Sequence, residues 1–345
     1  MNKKTNTEII TFKNKFKKIL ALSFLAYSLF SIALPTNTYA AKKPHSTSGL
    51  VLIGDKKQAY IAEKMNSFFR PTPGKEIAID PFTVPNTYTY SKKEINGTKY
   101  EQLTPKRKRT KNVIIQMHGG GYVEALGDLH RNLGLVQSRL AGNAEVFYLD
   151  YRIAPRYRYP AALEDAVKLY KYLLENGYKG ENIAVIGDSA GGNLALAFSL
   201  YLRDHNIEQP KALVLISPWG MVSNTLPSRI YNYKKDNTLG ENGTPIKTEI
   251  VRSSYGRGTK ATEPYLSPVY ADDFVGLPPM LIQTGSYEVL LDDGTIIAQK
   301  AKDSRLKVQY TSYPGMPHDF ALVLPELKES QDSFREIENF LKKNM

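Results

Sequence analysis

The sequence predicts an α/β fold built on a mainly parallel central sheet with helices on both faces. From residue 112 onward, short apolar segments, often rich in β-branched residues, alternate with segments whose apolar residues recur at a helical spacing. Parallel strands joined through helices need a helical layer on each face of the sheet. The chain has 345 residues, of which 42% are hydrophobic and 23% charged, and this composition can bury a full core. It excludes a disordered or fibrous protein.

Six segments have the length and composition of strands in such a sheet. They are Val113–Met117, Ala144–Leu149, Ile183–Gly187, Ala212–Ser217, Met280–Thr284 and Val308–Tyr313. The clearest helix between them carries apolar residues at positions 163, 166, 167, 170, 173 and 174, which lie on one face at a helical period.

Two stretches interrupt this alternation. Residues 50–105 contain prolines and many aromatic residues, with one helix predicted at about Lys56–Phe69, and residues 220–265 are rich in Tyr, Asn, Gly and Lys. Insertions over the carboxyl edge of a parallel sheet commonly cover a substrate pocket. We therefore expect an N-terminal extension and cap element at 41–105, and a catalytic domain at 106–345 with a cap insertion at about 220–265. A mobile surface loop is the alternative for the insertion.

The N-terminal 40 residues have the layout of a secretory signal peptide. Four lysines at positions 13–18 precede the apolar run Ile19–Leu34, and small and polar residues follow up to Ala40. The run is shorter than the roughly 20 residues that a membrane-spanning helix needs. We expect cleavage after Ala40 and secretion, and the alternative is an uncleaved membrane anchor. Because the chain has no cysteine, an exported form would depend on its core for stability.

The basic charge does not indicate a nucleic-acid partner. Residues 1–40 contribute six Lys and one Glu, so that the net charge falls from +12 for the whole chain to about +7 without them. The densest remaining basic cluster lies at residues 106–111, which we interpret as a solvated loop, with a dedicated polyanion site as the alternative. Nonspecific attraction to a cell wall or membrane surface is compatible with this charge, and the oligomeric state stays open.

The segment Gly187-Asp188-Ser189-Ala190-Gly191-Gly192 has the form of a nucleophile turn. It follows a predicted strand and precedes a predicted helix, 193–202, so Ser189 would lie on a sharp turn with its hydroxyl at the helix N-terminus. Glycines flank the serine because a side chain there would meet the neighbouring backbone. The motif alone could be an ordinary glycine-rich turn, but its context predicts that Ser189 is a nucleophile.

A serine hydroxyl needs a general base, and the usual base is histidine. In folds with this nucleophile turn the acid and the base follow the serine in the chain, which leaves His205 and His318 of the five histidines. His205 closes the nucleophile's own helix, about 20 Å away along it at 1.5 Å per residue. His318 follows a predicted strand in the loop 314–320, where a base would be presented. We predict that His318 is the base, with a buried structural histidine as the alternative.

The third member of such a triad orients the histidine and stabilises its charged form. The loop 285–293 after the preceding strand offers Glu288, Asp292 and Asp293. Asp292 and Asp293 are explained as charges at a helix N-terminus. We therefore favour Glu288 as the acid and keep Asp292 in reserve.

The run His118-Gly119-Gly120-Gly121-Tyr122 follows another predicted strand and supplies candidates for an oxyanion hole. Three glycines allow the backbone to turn its NH groups toward a substrate, and such donors are often the largest catalytic contribution. We predict that the donors are the NH groups of Gly120, Gly121 and Ala190.

These motifs resemble the hormone-sensitive-lipase-like branch of the α/β-hydrolases, a group of esterases and lipases marked by an HGGG run and a GDSAGG nucleophile motif. The similarity continues through DYRIAP (150–155), YPAA (159–162), SPW (217–219) and LSP (266–268), and covers roughly residues 112–325 in the family's order.

The resemblance implies an α/β-hydrolase fold with a cap, and it assigns the same roles to Ser189, His318, Gly120, Gly121 and Ala190. It also implies that His118 is structural and that Asp188 supports the nucleophile turn. One departure concerns the acid. Many members have Asp where this chain has Glu288, whose side chain is longer by one methylene, although some relatives use Glu there.

The chemistry predicted is acyl transfer through an acyl-enzyme, with a small-molecule ester as substrate and no metal or organic cofactor. Aromatic residues in the two cap stretches suggest an apolar pocket for short or medium acyl chains, or they form the core of the cap. They are Phe68, Phe69, Tyr88, Tyr90, Tyr231 and Tyr233. The alternatives are deacetylation of a polysaccharide, hydrolysis of an amide, and a non-catalytic binding protein that kept the fold.

Overall fold

The predicted strands form one sheet in the computed structural model, which describes residues 49–69, 79–107 and 110–345. The predicted leader at 1–40 and residues 108–109 of the basic cluster lie outside these ranges. The eight strands are β1 (Tyr88–Ile95), β2 (Thr98–Pro105), β3 (Val113–Met117), β4 (Glu145–Asp150), β5 (Ile183–Asp188), β6 (Ala212–Ile216), β7 (Met280–Gly285) and β8 (Val308–Tyr313). The six strands predicted from apolar runs are confirmed, with ends that move by at most one residue.

The sheet has the order β1-β2-β4-β3-β5-β6-β7-β8, and β3 to β8 are parallel. Its register aligns Met117 at the end of β3 with Gly187 of β5, and Gly285 at the end of β7 with Tyr313 of β8. The loops that follow these four strands therefore leave the sheet at the same edge, which is where parallel α/β sheets build their sites.

Nine helices accompany the sheet in the described part of the chain. They are α1 (Gly54–Phe69), α2 (Asp128–Leu140), α3 (Ala161–Glu175), α4 (Ala190–Asp204), α5 (Ser228–Tyr231), α6 (Lys247–Val251), α7 (Leu291–Asp303), α8 (Phe320–Val323) and α9 (Lys328–Asn344). Helices α3, α4 and α7 cover one face of the sheet, and α1, α2, α8 and α9 cover the other. The predicted covering of both faces of the sheet by helices is confirmed. None of the helices in these described ranges is long and apolar enough to cross a membrane.

The stretch before residue 106 differs from its prediction. Strands β1 and β2 form an antiparallel hairpin, and β2 pairs antiparallel with β4, so both extend the sheet. The turn between them is Asn96-Gly97, with φ of 49° and 82°, which is the conformation that two-residue hairpins prefer. The expectation of a cap element is therefore wrong for residues 88–105, and the sheet begins ahead of the predicted boundary at residue 106.

Helix α1 packs on the second face of the sheet and contacts the loop that contains His318. The ammonium group of Lys57 donates to the carbonyl oxygen of Pro314, and the amide of Gln58 donates to that of Gly315. The helix thus holds the loop that contains His318 through two hydrogen bonds.

Candidate active site

Ser189 lies on a sharp turn between β5 and α4 that only glycine neighbours permit. Its φ of 52° and ψ of −116° are unusual for a residue with a side chain. A Cβ on Gly187 would lie 2.2 Å from the carbonyl oxygen of Gly191, and a Cβ on Gly191 would lie 1.9 Å from that of Met117. The turn is further held by a hydrogen bond of 2.9 Å from the Ser189 NH to the Ile216 carbonyl of β6. The strand, turn and helix therefore fix the position of the serine hydroxyl.

The three predicted oxyanion donors lie around this turn. Gly120 and Gly121 have φ of 102° and 59°, in the left-handed region that glycine tolerates. Ala190 is the first residue of α4, where backbone NH groups have no partner within the helix. Among the described residues, the NH groups of Gly120, Gly121 and Ala190 make no hydrogen bond. They remain available to a substrate oxygen.

Asp188 links the nucleophile turn to the glycine run. Its Oδ2 accepts a hydrogen bond of 3.0 Å from the NH of Gly119 and lies 3.1 Å from Nε2 of His130. The carboxyl group of Asp188 is almost completely buried. This contact holds the loops after β3 and β5 together, and it uses the Gly119 NH for structure.

His118 and His130 lie beside each other, but their pKa values are shifted in opposite directions. His118 stacks on Tyr151 at 4.1 Å between ring centroids, and its Nδ1 donates to the carbonyl of Gly119. Burial, reinforced by His130, lowers the pKa of His118 to about 3, so its ring is neutral. Burial opposes the charge of His130, but Asp188 outweighs this effect and raises the pKa of His130.

His318 is the histidine that reaches the serine. Its Nε2 lies 3.0 Å from Oγ of Ser189, and its ring is buried. The insertion anchors its backbone, because Thr238 Oγ1 donates to the His318 carbonyl and Asp236 Oδ1 accepts from its NH at 3.4 Å. His205, in contrast, ends α4 and is exposed.

Glu288 lies on the other side of the His318 ring. Its Oε2 is 3.6 Å from Nδ1 of His318 and accepts a hydrogen bond of 2.6 Å from the hydroxyl of Ser217. The separation from Nδ1 is longer than a hydrogen bond, as is common before a substrate binds. Glu288 is fully buried, and burial raises its pKa to about 7 against the opposing effect of His318.

Asp292 and Asp293 serve other contacts. Asp292 accepts hydrogen bonds from the Ser228 NH and the Tyr231 hydroxyl, both in the insertion. Asp293 forms a buried ion pair with Arg229 at 2.6 Å. Both carboxylates thus tie α7 to the insertion, and Glu288 is the carboxylate of this loop that faces His318.

Two residues beside His318 were not identified from the sequence. Asp319 follows His318, and its Oδ2 lies 3.0 Å from Nε2 of the ring. Ser217 joins both loops, because its hydroxyl donates to Glu288 and accepts from the Asp319 NH at 3.2 Å. Ser217 belongs to a segment of the family resemblance, but no local pattern gave it a role.

The aromatic residues suggested for an acyl pocket lie in separate places. Tyr88 belongs to β1, and its hydroxyl donates to Asn143 in the turn that enters β4 at its amino end, away from the carboxyl edge of the sheet. Tyr90, also in β1, donates to Glu101 of β2. Phe68 and Phe69 pack edge to face on each other at the end of α1. Tyr231 and Tyr233 lie in the insertion and are 46% and 43% exposed.

The insertion lies directly over the glycine run. A Cβ on Gly121 would come within 3.2 Å of Ile246 and 3.5 Å of Glu249, both from the insertion. Under this cover Ser189 is 6% exposed and His318 is 2% exposed. The segment 220–265 therefore packs over the glycine run, with the short helices α5 and α6 as its regular elements.

The arrangement combines a hydroxyl, a base in hydrogen-bond reach of it, a carboxylate behind the base, and unpaired NH groups near the hydroxyl. This set of groups can carry out nucleophilic acyl transfer.

Comparisons with known proteins agree with this chemistry. The model of a family with the alpha/beta hydrolase fold matches residues 114–322. An esterase of Acinetobacter venetianus is 32% identical over 246 residues, which are 71% of this chain and 78% of that protein. An acetyl-hydrolase of Streptomyces hygroscopicus is 34% identical over 229 residues, 66% of this chain and 75% of that protein.

Solved structures give the same result. The crystal structure of an esterase from the bacterial hormone-sensitive lipase family is 30% identical, with a TM-score of 0.70, and covers 89% of this chain and 94% of its own.

Proposed function

Because this chain belongs to the hormone-sensitive-lipase-like branch of the α/β-hydrolases and is a carboxylic ester hydrolase, we propose that Ser189, His318 and Glu288 form its triad. The observation that carries this proposal is the 3.0 Å contact between Nε2 of His318 and Oγ of Ser189, with Glu288 on the opposite nitrogen.

In the first step Ser189 Oγ attacks the ester carbonyl carbon while His318 Nε2 takes the hydroxyl proton. The imidazolium that forms faces the buried carboxylate of Glu288, which stabilises its charge. The carbonyl oxygen gains a negative charge and accepts hydrogen bonds from Gly120, Gly121 and Ala190. His318 then returns the proton to the leaving alcohol, and an acyl-enzyme remains.

In the second step water attacks the acyl group. His318 takes a proton from the water, the same NH groups hold the second oxyanion, and the proton returns to Ser189 as the acid leaves. Because the turn geometry at Ser189 and Gly120 is set before substrate arrives, little reorganisation is needed in either step.

Esters with short to medium acyl chains are the proposed substrates. Ile246 and Glu249 lie close over Gly121, which leaves little room beside the oxyanion donors. A relative named as an acetyl-hydrolase also supports a small acyl group. Removal of acetyl groups from a polysaccharide is the second candidate, favoured by that relative's name together with the export signal.

A series of p-nitrophenyl esters from acetate to palmitate tests this proposal, with Ser189→Ala as the comparison. We expect hydrolysis to peak at short chains and to fall in the variant by about 10⁴- to 10⁶-fold. A serine-reactive phosphonate should label Ser189. Inert esters together with labelled Ser189 would favour a polysaccharide or amide substrate, and the absence of both would refute the triad.

We also propose that residues 1–40 direct export and are removed after Ala40, as the order of lysines, apolar run and small residues supports. The mass and N-terminal sequence of the protein recovered from an exporting host test this. A mature N-terminus at Ala41 is expected in the medium, and an intact chain in the membrane fraction would favour the anchor.

A further inference from the structure

Asp319 is in an unusual position for a carboxylate. It directly follows His318 with φ of 51° and ψ of 33°, a left-handed conformation that glycine, asparagine and aspartate adopt more readily than other residues. Its backbone NH is tied to Ser217, and its Oδ2 lies 3.0 Å from Nε2 of His318. The same nitrogen lies 3.0 Å from Oγ of Ser189.

Two oxygen atoms, Oγ of Ser189 and Oδ2 of Asp319, therefore lie close to Nε2 of His318, which is the nitrogen that must act as the base. A neutral ring with its proton on Nδ1, facing Glu288, presents a lone pair at Nε2. That lone pair can accept the Ser189 hydroxyl but repels a carboxylate oxygen. The contact with Asp319 becomes favourable when the ring carries a second proton, because the positive imidazolium attracts the carboxylate.

We propose that Asp319 is a positioning residue that holds His318 as an imidazolium in the resting enzyme and so confines ester hydrolysis to alkaline pH. The proposal rests on the proposed function, in which His318 is the base for Ser189. To the carboxylate of Glu288, which faces Nδ1, it adds a second carboxylate, that of Asp319, which faces the reacting nitrogen Nε2.

The charged groups around the ring support this state. Glu288 faces Nδ1 from the loop after β7, and Asp236 of the insertion accepts from the His318 NH. Burial opposes a charge on the ring, but Asp319 and Glu288 outweigh this effect and raise the pKa of His318 well above its usual value.

The loops after β3 and β5 add further groups next to Asp319. Asp188 lies near its carboxyl group and disfavours a second negative charge, whereas His130 favours one. Glu124 in turn acts on His130 and raises its pKa. Burial is the largest effect on Asp319 and raises its pKa, against the opposing effect of His318.

The resting state becomes active when the His318 imidazolium loses a proton. The imidazolium releases one proton from Nε2 to water or hydroxide, and the freed lone pair accepts the Ser189 hydroxyl. The Asp319 side chain is 13% exposed, so its carboxylate can turn toward solvent or toward an entering substrate when the contact is lost.

Two variants test this proposal in the full chain. Asp319→Asn keeps the shape without the charge, and Asp319→Gly suits the backbone conformation. The matched control is Asp292→Asn, which neutralises a carboxylate of the neighbouring loop that bonds to Ser228 and Tyr231. The ring signals of His318, assigned with His318→Gln, are titrated by NMR, and the pH profile of kcat/KM is measured beside them.

We expect both Asp319 variants to titrate about 1–3 pH units lower than the wild type, because a neighbouring opposite charge shifts a pKa by that amount. The acid limb of the pH profile of kcat/KM should shift to lower pH by the same amount. One unit below the wild-type midpoint, each variant should then retain a fraction of its maximal activity that is about 5- to 11-fold larger than that of the wild type. The proposal would be overturned if Asp319→Asn and Asp319→Gly left both the ring titration and the acid limb of kcat/KM unchanged. It would also be overturned if they shifted them only as much as Asp292→Asn does.

The ring titration needs no substrate. It therefore reports on Asp319 even if every ester is inert, whereas failure of the proposed function appears as an inactive wild type with Ser189 unlabelled by the phosphonate.

Discussion

The two halves of the active site are held in place by different kinds of interaction. On the nucleophile side, the loops after β3 and β5 are positioned by backbone geometry, with glycines at 187 and 191 where a Cβ would collide with neighbouring carbonyl oxygens. On the base side, the loops after β7 and β8 are positioned by side chains. Ser217, Thr238 and Asp236 reach across from other elements to hold Glu288 and His318.

This difference has a consequence for the chemistry. The nucleophile half has little freedom and almost no titratable group in contact with the reacting atoms. In the base half, the carboxylate of Glu288 lies 3.6 Å from Nδ1 of His318, and that of Asp319 lies 3.0 Å from Nε2 of the same ring. Rigidity therefore comes from the first half, and the response to pH comes from the second.

The largest effect is expected on the base side. Glu288→Gln keeps the size of the side chain but removes the charge that stabilises the imidazolium and orients the ring, so kcat should fall by about 10⁴-fold. Asp292→Asn, in the same loop, should leave kcat nearly unchanged, because Asp292 bonds only to the insertion. Steady-state kinetics on a short-chain ester measure both. Equal losses in the two variants would return Asp292 to consideration as the acid.

On the nucleophile side, Gly120→Ala tests the backbone directly. Alanine at φ of 102° is strained, and its Cβ would lie 2.7 Å from Cβ of Glu124, so the loop must shift and misalign its NH donors. Loss of one oxyanion donor costs about 10²- to 10³-fold in kcat. KM should change much less, since the oxyanion forms only during reaction.

The matched control is Gly127→Ala, where φ is −116° and the nearest atom to a new Cβ is 4.0 Å away. It should keep its kcat and lose at most about 1 kcal/mol of stability at the start of α2. If both alanine variants had the same kcat, the glycine run would not supply the donors.

The same contrast explains what the sequence could predict. Ser189 and the glycine donors lie in continuous motifs whose spacing reflects backbone geometry, so they are visible in a local pattern. The strands β3 to β7 were visible because buried parallel strands are continuous apolar runs. The hairpin β1–β2 alternates polar and apolar residues at the sheet edge and carries an Asn96-Gly97 turn, a signal that was present but was outweighed by the prolines around it.

The base half could be predicted only in part. His318 was identified by elimination among five histidines, and Glu288 by its distance in sequence from a strand end. Ser217 acts through hydrogen bonds to residues that lie 71 and 102 positions away in the chain, Glu288 and Asp319. Asp319 directly follows His318, but its position also depends on its hydrogen bond to Ser217. No local pattern records such contacts, because they depend on the packing of the insertion and of the sheet edge.

The smallest effect is expected at Ser217, the residue that joins the acid to the base loop. Its left-handed φ of 44° makes alanine an imperfect probe, so Ser217→Gly is the cleaner change and Ser217→Ala the comparison. Either removes the hydroxyl that donates to Glu288 at 2.6 Å. A hydrogen bond to a charged group contributes about 1.5–3 kcal/mol, so kcat/KM should fall by about 10- to 100-fold.

A double-mutant cycle with Glu288→Gln separates this contact from general damage to the loop. If Ser217 acts by holding Glu288, its removal should cost much less once Glu288 is already neutral, because both changes disturb the same ring of His318. Additive losses would mean that the Ser217 hydroxyl acts elsewhere, through the hydrogen bond that it accepts from the Asp319 NH. The base half would then depend on the position of Asp319 more than on that of Glu288.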